Sequence, residues 1–132
     1  MKALVMALLL TLSSSANAAT AATPIGLWQN PKGTIVVQTR RCGQQLLCGS
    51  IVWAGPRAIA DARDAGVDTL VGTELLSDYR ASGAGRWTGR VYVPDQGRHF
   101  YSTIELRTPN SLRISGCILG GLICKRQEWT RK

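Results

Sequence analysis

Four cysteines, one histidine and a short run of aspartates are the side chains here that could do chemistry, and their spacing favours cross-linking over catalysis. Cys42 and Cys48 bracket a five-residue turn in RCGQQLLCGSIVW, and Cys117 and Cys124 bracket the apolar segment ILGGLI. An even count in a small chain that begins with an export leader reads as disulfides. Four cysteines allow three connectivities. The two local pairs, Cys42 with Cys48 and Cys117 with Cys124, are favoured because each closes a short turn between extended segments. Zinc held by four thiolates is the competing reading; the spacings are wider than the usual Cys-x-x-Cys, an oxidising compartment is hostile to free thiols, and no metal is assigned. His99 is the single histidine, which excludes a His-rich metal site, and beside Arg98 at a strand start it reads as solvated. No serine stands in a Gly-x-Ser-x-Gly elbow, and oxidised cysteines supply no thiolate nucleophile. Asp61, Asp64 and Asp68 fall three and four residues apart in one loop. They could meet a cation or form an acid–base pair, but a solvated turn face is the favoured reading. The chain is therefore read as a non-enzyme, with no cofactor.

The leader is MKALVMALLLTLSSSANA: a basic start at Lys2, an apolar run from Ala3 to Leu12 and a small-residue exit at Ala16 to Ala18. This is the pattern of a secretory signal, and its apolar run is too short to span a bilayer. No second segment predicts a membrane span. The expected organisation is a signal peptide over 1–18, a small-residue linker over 19–23 and one domain over 24–132, exported to the periplasm. Sixteen basic residues stand against eight acidic ones, a net charge of +8, and removal of the leader takes away Lys2 alone to leave +7. Such a balance favours anionic partners. Nucleic acid is the usual one for a basic domain, but export argues against it. Excess charge that simply keeps a small protein soluble is the plainer account.

The elements that must position these residues are almost all extended. Ile25 to Gln29, Thr34 to Thr39, Leu46 to Trp53, Thr69 to Leu76, Arg86 to Val93, His99 to Arg107, Ser111 to Cys117 and Cys124 to Arg131 each alternate or are β-branched. Between them lie turn signals such as Asn30-Pro31-Lys32-Gly33, Pro94-Asp95-Gln96-Gly97 and Thr108-Pro109-Asn110. Alternation places Leu47, Gly49, Ile51 and Trp53 on one face of the third strand. From Ala54 to Asp68 the pattern breaks, and one or two helical turns are expected at Arg57 to Arg63, either as a lid over a barrel mouth or as a surface loop. About eight short strands at this spacing predict an all-β fold: a single small antiparallel up-and-down barrel with one longer loop or short helix.

Two resemblances sharpen this. Gly26-Leu27-Trp28 on the first strand is similar to the Gly-x-Trp that opens lipocalins and their calycin relatives. In those proteins the Trp closes one barrel end under a basic side chain from the last strand, which implies that role for Trp28 with Arg131. A wider match covers nearly all of the mature chain: Pro24 to Trp28, Cys42-Gly43 with Leu47 to Trp53, Trp87 to Tyr92, and Gly116-Cys117 with Cys124 to Arg131. These blocks, in this order, resemble the bacterial exported family known as domain of unknown function 2147. The resemblance implies a lipocalin-like barrel in the cell envelope with no established activity. Arg57 to Asp68 departs from it, lacking the longer Asn-Pro-Asp-rich segment expected there.

The aromatic residues carry the binding reading. Trp53, Tyr79, Trp87, Tyr92, Phe100 and Tyr101 lie on strands or just beyond their ends, and aromatic walls with a few polar tips are what small-molecule pockets use. They also serve ordinary cores. The first functional expectation is a periplasmic module holding a small apolar or anionic amphipathic ligand, such as an acyl chain. The second is an envelope interaction protein with a filled barrel, whose outward Arg90, Arg107 and Arg113 meet anionic lipid, glycan or a protein.

Overall fold

In the computed structural model, which describes residues 22–118 and 121–132, the chain forms eight antiparallel strands that close on themselves in sequence order. The signal-peptide expectation and most of the linker lie outside the described residues. The strands are β1 (Gly26–Gln29), β2 (Ile35–Gly43), β3 (Leu46–Ala54), β4 (Glu74–Gly83), β5 (Arg86–Val93), β6 (Arg98–Thr108), β7 (Ser111–Ile118) and β8 (Ile123–Arg131), with one helix, α1 (Pro56–Asp64), between β3 and β4. Up-and-down order puts the β2–β3, β4–β5 and β6–β7 turns at the same end as the start of β1 and the close of β8. The β1–β2 turn, α1, the β5–β6 turn and the β7–β8 connection share the other end.

Local chemistry sets these connections. Asn30 makes the first turn: its Oδ1 accepts from the backbone N–H groups of Thr34 and Ile35 at 2.8 and 2.9 Å. Pro56 occupies the first turn of α1, where its missing N–H costs nothing. Gly55 N–H donates to Thr34 O at 2.8 Å and ties the helix start to the β1–β2 turn. The helix ends with Gly66 N–H on Arg63 O and Val67 N–H on Ala62 O, the crossed pair of a Schellman cap, and Val67 packs on the core beside it.

The strand expected at Thr69 to Leu76 is displaced. The fourth strand instead runs from Glu74 to Gly83, and Gly72 and Thr73 bond to the backbone of Ile51 as the loop leads in. Its second half is polar and carries Asp78 at φ 57°, a bulge that hides the alternation. A second bulge corrects the face of Trp53. Val36 pairs with Trp53 and Val37 with Ile51, so Val52 is an extra residue in β3. Ile51 therefore stays in the core while Trp53 turns outward, 48% exposed.

Packing fills the barrel from the end bearing the chain termini up to the side covered by α1. Trp28, Val37, Ile51, Leu76, Tyr79, Ile104, Leu112 and Trp129 form one buried cluster. Tyr79 crosses the wall at Gly89, where an added Cβ would lie 2.6 Å from Tyr79 Cγ and 2.7 Å from Ser77 O. Gly89→Ala is therefore expected to lower stability by about 2–3 kcal/mol, because rigid backbone and a fully buried ring must shift. Urea unfolding with the disulfides intact measures this as a fall in midpoint at unchanged slope.

Candidate functional site

The two ends of the barrel are built differently. At the end bearing the termini, the Arg131 guanidinium carbon lies 4.3 Å from the centre of the Trp28 ring. The same guanidinium donates from Nη1 to Ile25 O at 3.0 Å, from Nη2 to Thr23 O at 2.7 Å and from Nε to Pro109 O at 2.9 Å. One side chain thus joins the first strand's approach, the β6–β7 turn and the last strand. Trp28 is fixed beneath it by its own Nε1–H on Pro24 O at 2.9 Å. The close approach requires Gly26, where an added Cβ would stand 2.4 Å from Arg131 Nη1 at a backbone φ of 151°.

At the opposite end the β5 to β8 side of the interior is not filled. A cleft of about 310 Å³ is lined by Val91, Val93, Phe100, Gly116, Ile118, Ile123, Gln96 and Lys125. These lie on β5 to β8 and the β5–β6 turn. Ladder pairing sets Val91 against Phe100 and Gly116 against Lys125, so β5 to β8 all show this cleft the same face. A Cβ on Gly116 would meet Val91 Cγ1 at 3.4 Å from two strands away, which places both on the concave side. The lining is apolar apart from Gln96 and Lys125, the one charged group. A wider recess of about 740 Å³ opens between the β1–β2 turn, α1 and β8, where β8 pairs with β1 only through Thr130 and Arg131.

The six aromatics singled out from the sequence are spread over these regions. Phe100 lines the cleft, with the Arg98 guanidinium 5.5 Å from its ring centre. Tyr79 is fully buried in the core, and Trp87 packs against that core half-buried. Tyr92 lies against His99 with ring centres 4.9 Å apart and planes tilted by 45°, and Trp53 and Tyr101 are exposed on the barrel wall. Burial pushes the Tyr79 phenol well above its ordinary value, and the neighbouring Ser102 hydroxyl offsets part of that rise. Among the described residues, the hydroxyls of Tyr79, Ser102 and Ser77 are buried with no partner in good hydrogen-bond geometry. Val91, Val93, Gly116, Ile118, Ile123 and Lys125 were not marked by sequence reasoning. Their signal was Lys125, which falls on the inward alternation of β8 counted back from Trp129.

The cysteines are joined as Cys42–Cys48 and Cys117–Cys124, so none is free. Arg90, Arg107 and Arg113 each meet a carboxylate: Asp78 at 3.0 Å, Glu105 at 3.4 Å and Glu128 at 2.6 Å. Glu105 also pairs with Arg86. The hydrogen bond from Arg86 holds the Glu105 carboxyl below its usual range, and that from Arg113 does the same for Glu128. Among the described residues no three His, Cys, Asp or Glu side chains converge, and no helix is long and apolar enough to cross a membrane.

Two predictions follow from this geometry. Arg131→Met keeps the stem but loses the cation over Trp28 and three carbonyl bonds, and is expected to cost about 2–3 kcal/mol, with Arg131→Lys recovering part of it. Chemical denaturation of the three proteins measures this. Carboxylates held low in the fold contribute stability above their unfolded pKa and lose it as pH falls through the carboxylate range. Glu105→Gln and Glu128→Gln should thus each cost at most about 1 kcal/mol at neutral pH and nothing in acid, as read from melting curves across pH.

Comparison with known proteins places this architecture. A family model described as an uncharacterized protein conserved in bacteria (DUF2147) matches residues 26–131. Among solved structures, the chain is similar to protein HP1028 of the human pathogen Helicobacter pylori, described as belonging to the lipocalin family. The TM-score is 0.61 at 13% identity, with 84% of each chain covered. No curated protein matches the sequence.

Proposed function

We propose, for a chain that belongs to the DUF2147 family and folds as a lipocalin-like barrel, that it is a binding protein for a small amphipathic ligand held at the open end. The observation that carries this reading is the apolar cleft bounded by Val91, Phe100, Gly116 and Ile118, with Lys125 as its one charge. Its volume of about 310 Å³ lies at the low end for ligand pockets, which span roughly 300–1,000 Å³. A water's share of liquid volume is about 30 Å³, so the space suits on the order of ten methylene-sized groups. An acyl chain fits that shape and chemistry. Each buried methylene contributes about 0.8 kcal/mol, so a chain of about ten carbons gains about 8 kcal/mol before association costs are subtracted. Lys125 then answers a carboxylate or phosphate at the ligand's polar end.

Two disulfides and the family's bacterial distribution support an exported location, and the leader expected over 1–18 points to the periplasm. The lipocalin-like fold supports binding over catalysis. The reading based on an outer basic face through Arg90, Arg107 and Arg113 draws less support, because each already faces a carboxylate.

Gly116→Leu tests the cleft directly, since it fills the space with a side chain at a site that is otherwise open. It is expected to weaken decanoate binding at least tenfold in a fluorescence displacement titration while leaving thermal stability unchanged. Lys125→Glu is expected to weaken decanoate roughly tenfold and decanol less than twofold. Equal loss for acid and alcohol would remove Lys125 from the site, and undiminished binding by Gly116→Leu would remove the cleft.

A further inference from the structure

The last strand is paired on one side along its whole length and on the other only at its foot. β7 accompanies β8 from Ile118 opposite Ile123 to Ser111 opposite Thr130, whereas β1 meets only Thr130 and Arg131. Parity decides which backbone groups this leaves free, because each residue of an antiparallel ladder turns its N–H and C=O to one neighbour, alternately left and right. Lys132 N–H donates to Leu27 O across the β1 seam, and Arg131 N–H donates to Asn110 O on the β7 side, so the even-numbered residues of β8 face β1. The 4.1 Å Cα separation of Cys117 and Cys124 agrees, being that of an opposed pair without mutual hydrogen bonds. The register of β7 on β8 has no shift, so the alternation runs unbroken. The N–H and C=O groups of Cys124, Arg126 and Glu128 therefore point into a seam where, among the described residues, no strand lies. Every residue from Ile123 to Glu128 is exposed, and the recess of about 740 Å³ separates this edge from α1 and the β1–β2 turn.

Proteins blunt a free edge with proline, a bulge or charge. Ile123 to Glu128 has neither proline nor bulge, only the charges of Lys125, Arg126 and Glu128. Those charges act against a second copy. Full antiparallel overlap of two such edges sets Arg126 opposite Arg126, which is repulsive. The register that pairs Arg126 with Glu128 leaves only Arg126 to Glu128 in the ladder, because Gln29 already occupies Thr130. The recess selects no charge of its own, since Lys32, Arg57 and Arg126 line it together with Asp61, Asp95 and Glu128. Alternating backbone donors and acceptors at strand spacing are matched by an extended polypeptide and by neither lipid nor glycan.

We propose that the free edge of β8 binds an extended, uncharged peptide segment by strand addition, the segment lying in the recess between β8 and α1 and continuing the barrel wall. The edge from Cys124 to Glu128 is about 16 Å long at about 3.3 Å per residue, room for about five residues of partner. Binding rests on main-chain bonds to Cys124, Arg126 and Glu128, whereas the interior cleft uses the side chains of Ile123 and Lys125, so the two sites are separate.

The test is a titration of isotopically labelled protein, produced from the full sequence, with the acetylated and amidated heptapeptide Ser-Thr-Val-Thr-Val-Thr-Ser, followed through the protein's amide resonances. In the free protein the amides of Cys124, Arg126 and Glu128 are expected to exchange quickly with solvent and those of Lys125 and Gln127 slowly. The peptide should slow the first set at least about tenfold. The same peptide N-methylated at its five central residues should bind at least about tenfold more weakly. Arg126→Pro removes a donor that faces the seam and no bond to β7, so it should melt within about 5 °C of the natural chain yet bind at least about fivefold more weakly. Gln127→Pro, on the bonded side, should melt far lower. Arg126→Gln should bind within about twofold, which separates backbone from side chain, and so should Gly116→Leu, which separates this edge from the cleft. Equal binding of the methylated peptide, undiminished binding by folded Arg126→Pro, or no binding of the heptapeptide at millimolar concentration would overturn the proposal. Slow exchange of Cys124, Arg126 and Glu128 without peptide would overturn it too, giving the edge to the protein's own chain if independent of protein concentration and to a second copy if it grows with concentration.

Discussion

The structure depends on how Arg131 closes the barrel. A sheet of eight strands can remain an open, twisted sheet with two exposed edges; closure requires the first and last strands to meet. Here they meet over only two residue pairs, Trp28 with Arg131 and Gln29 with Thr130. That ladder is too short to hold by backbone bonds alone. Arg131 supplements it with a cation–π contact and three bonds to carbonyls on segments far apart in the chain. Arginine suits this position because its planar fork offers several donors while its face lies on the indole, a combination lysine lacks. Gly26 and Thr39 complete the arrangement, the first by leaving room and the second by donating to Pro24 O at 2.6 Å.

Closing one end tightly allows the other to stay open. The two tryptophans near the termini, with Leu112 and Ile104, fill the lower interior, and α1 covers part of the upper one through Ala58, Ile59 and Ala62. The β5 to β8 side of that upper end is left with aliphatic walls and no occupant side chain large enough to fill them. Along the barrel wall, Arg40, Arg86, Arg90, Arg107 and Arg113 each meet a carboxylate.

What the sequence made legible was local. Asn30-Pro31-Lys32-Gly33 and Pro94-Asp95-Gln96-Gly97 announce hairpins through their own backbone preferences, and the structure has turns at both. Cys117 and Cys124 lie directly opposite on neighbouring strands, so a local pairing rule found them. The barrel class followed from strand count and from the Gly-x-Trp and terminal Trp-Thr-Arg. What was hidden arises between strands. The extra residue at Val52 depends on the register of β3 against β2, which no alternation within β3 reveals, and it decides that Trp53 faces outward. The second half of β4 is polar and carries a left-handed Asp78, so it reads as a loop until its partners are known. Aromatic residues drew the ligand reading because of their size, yet the cleft walls are mainly aliphatic. A Val or Ile that lines a space and one that fills it look alike in one dimension.

The central claim is that the open end of this barrel holds a small amphipathic molecule. Native mass spectrometry of the protein, purified without detergent from cells that express the full sequence, tests this most directly. A reproducible adduct of acyl-chain mass, released on denaturation and absent from Gly116→Leu, is the result the account predicts. A bare protein mass, with no adduct after incubation with fatty acids of eight to fourteen carbons, would contradict it.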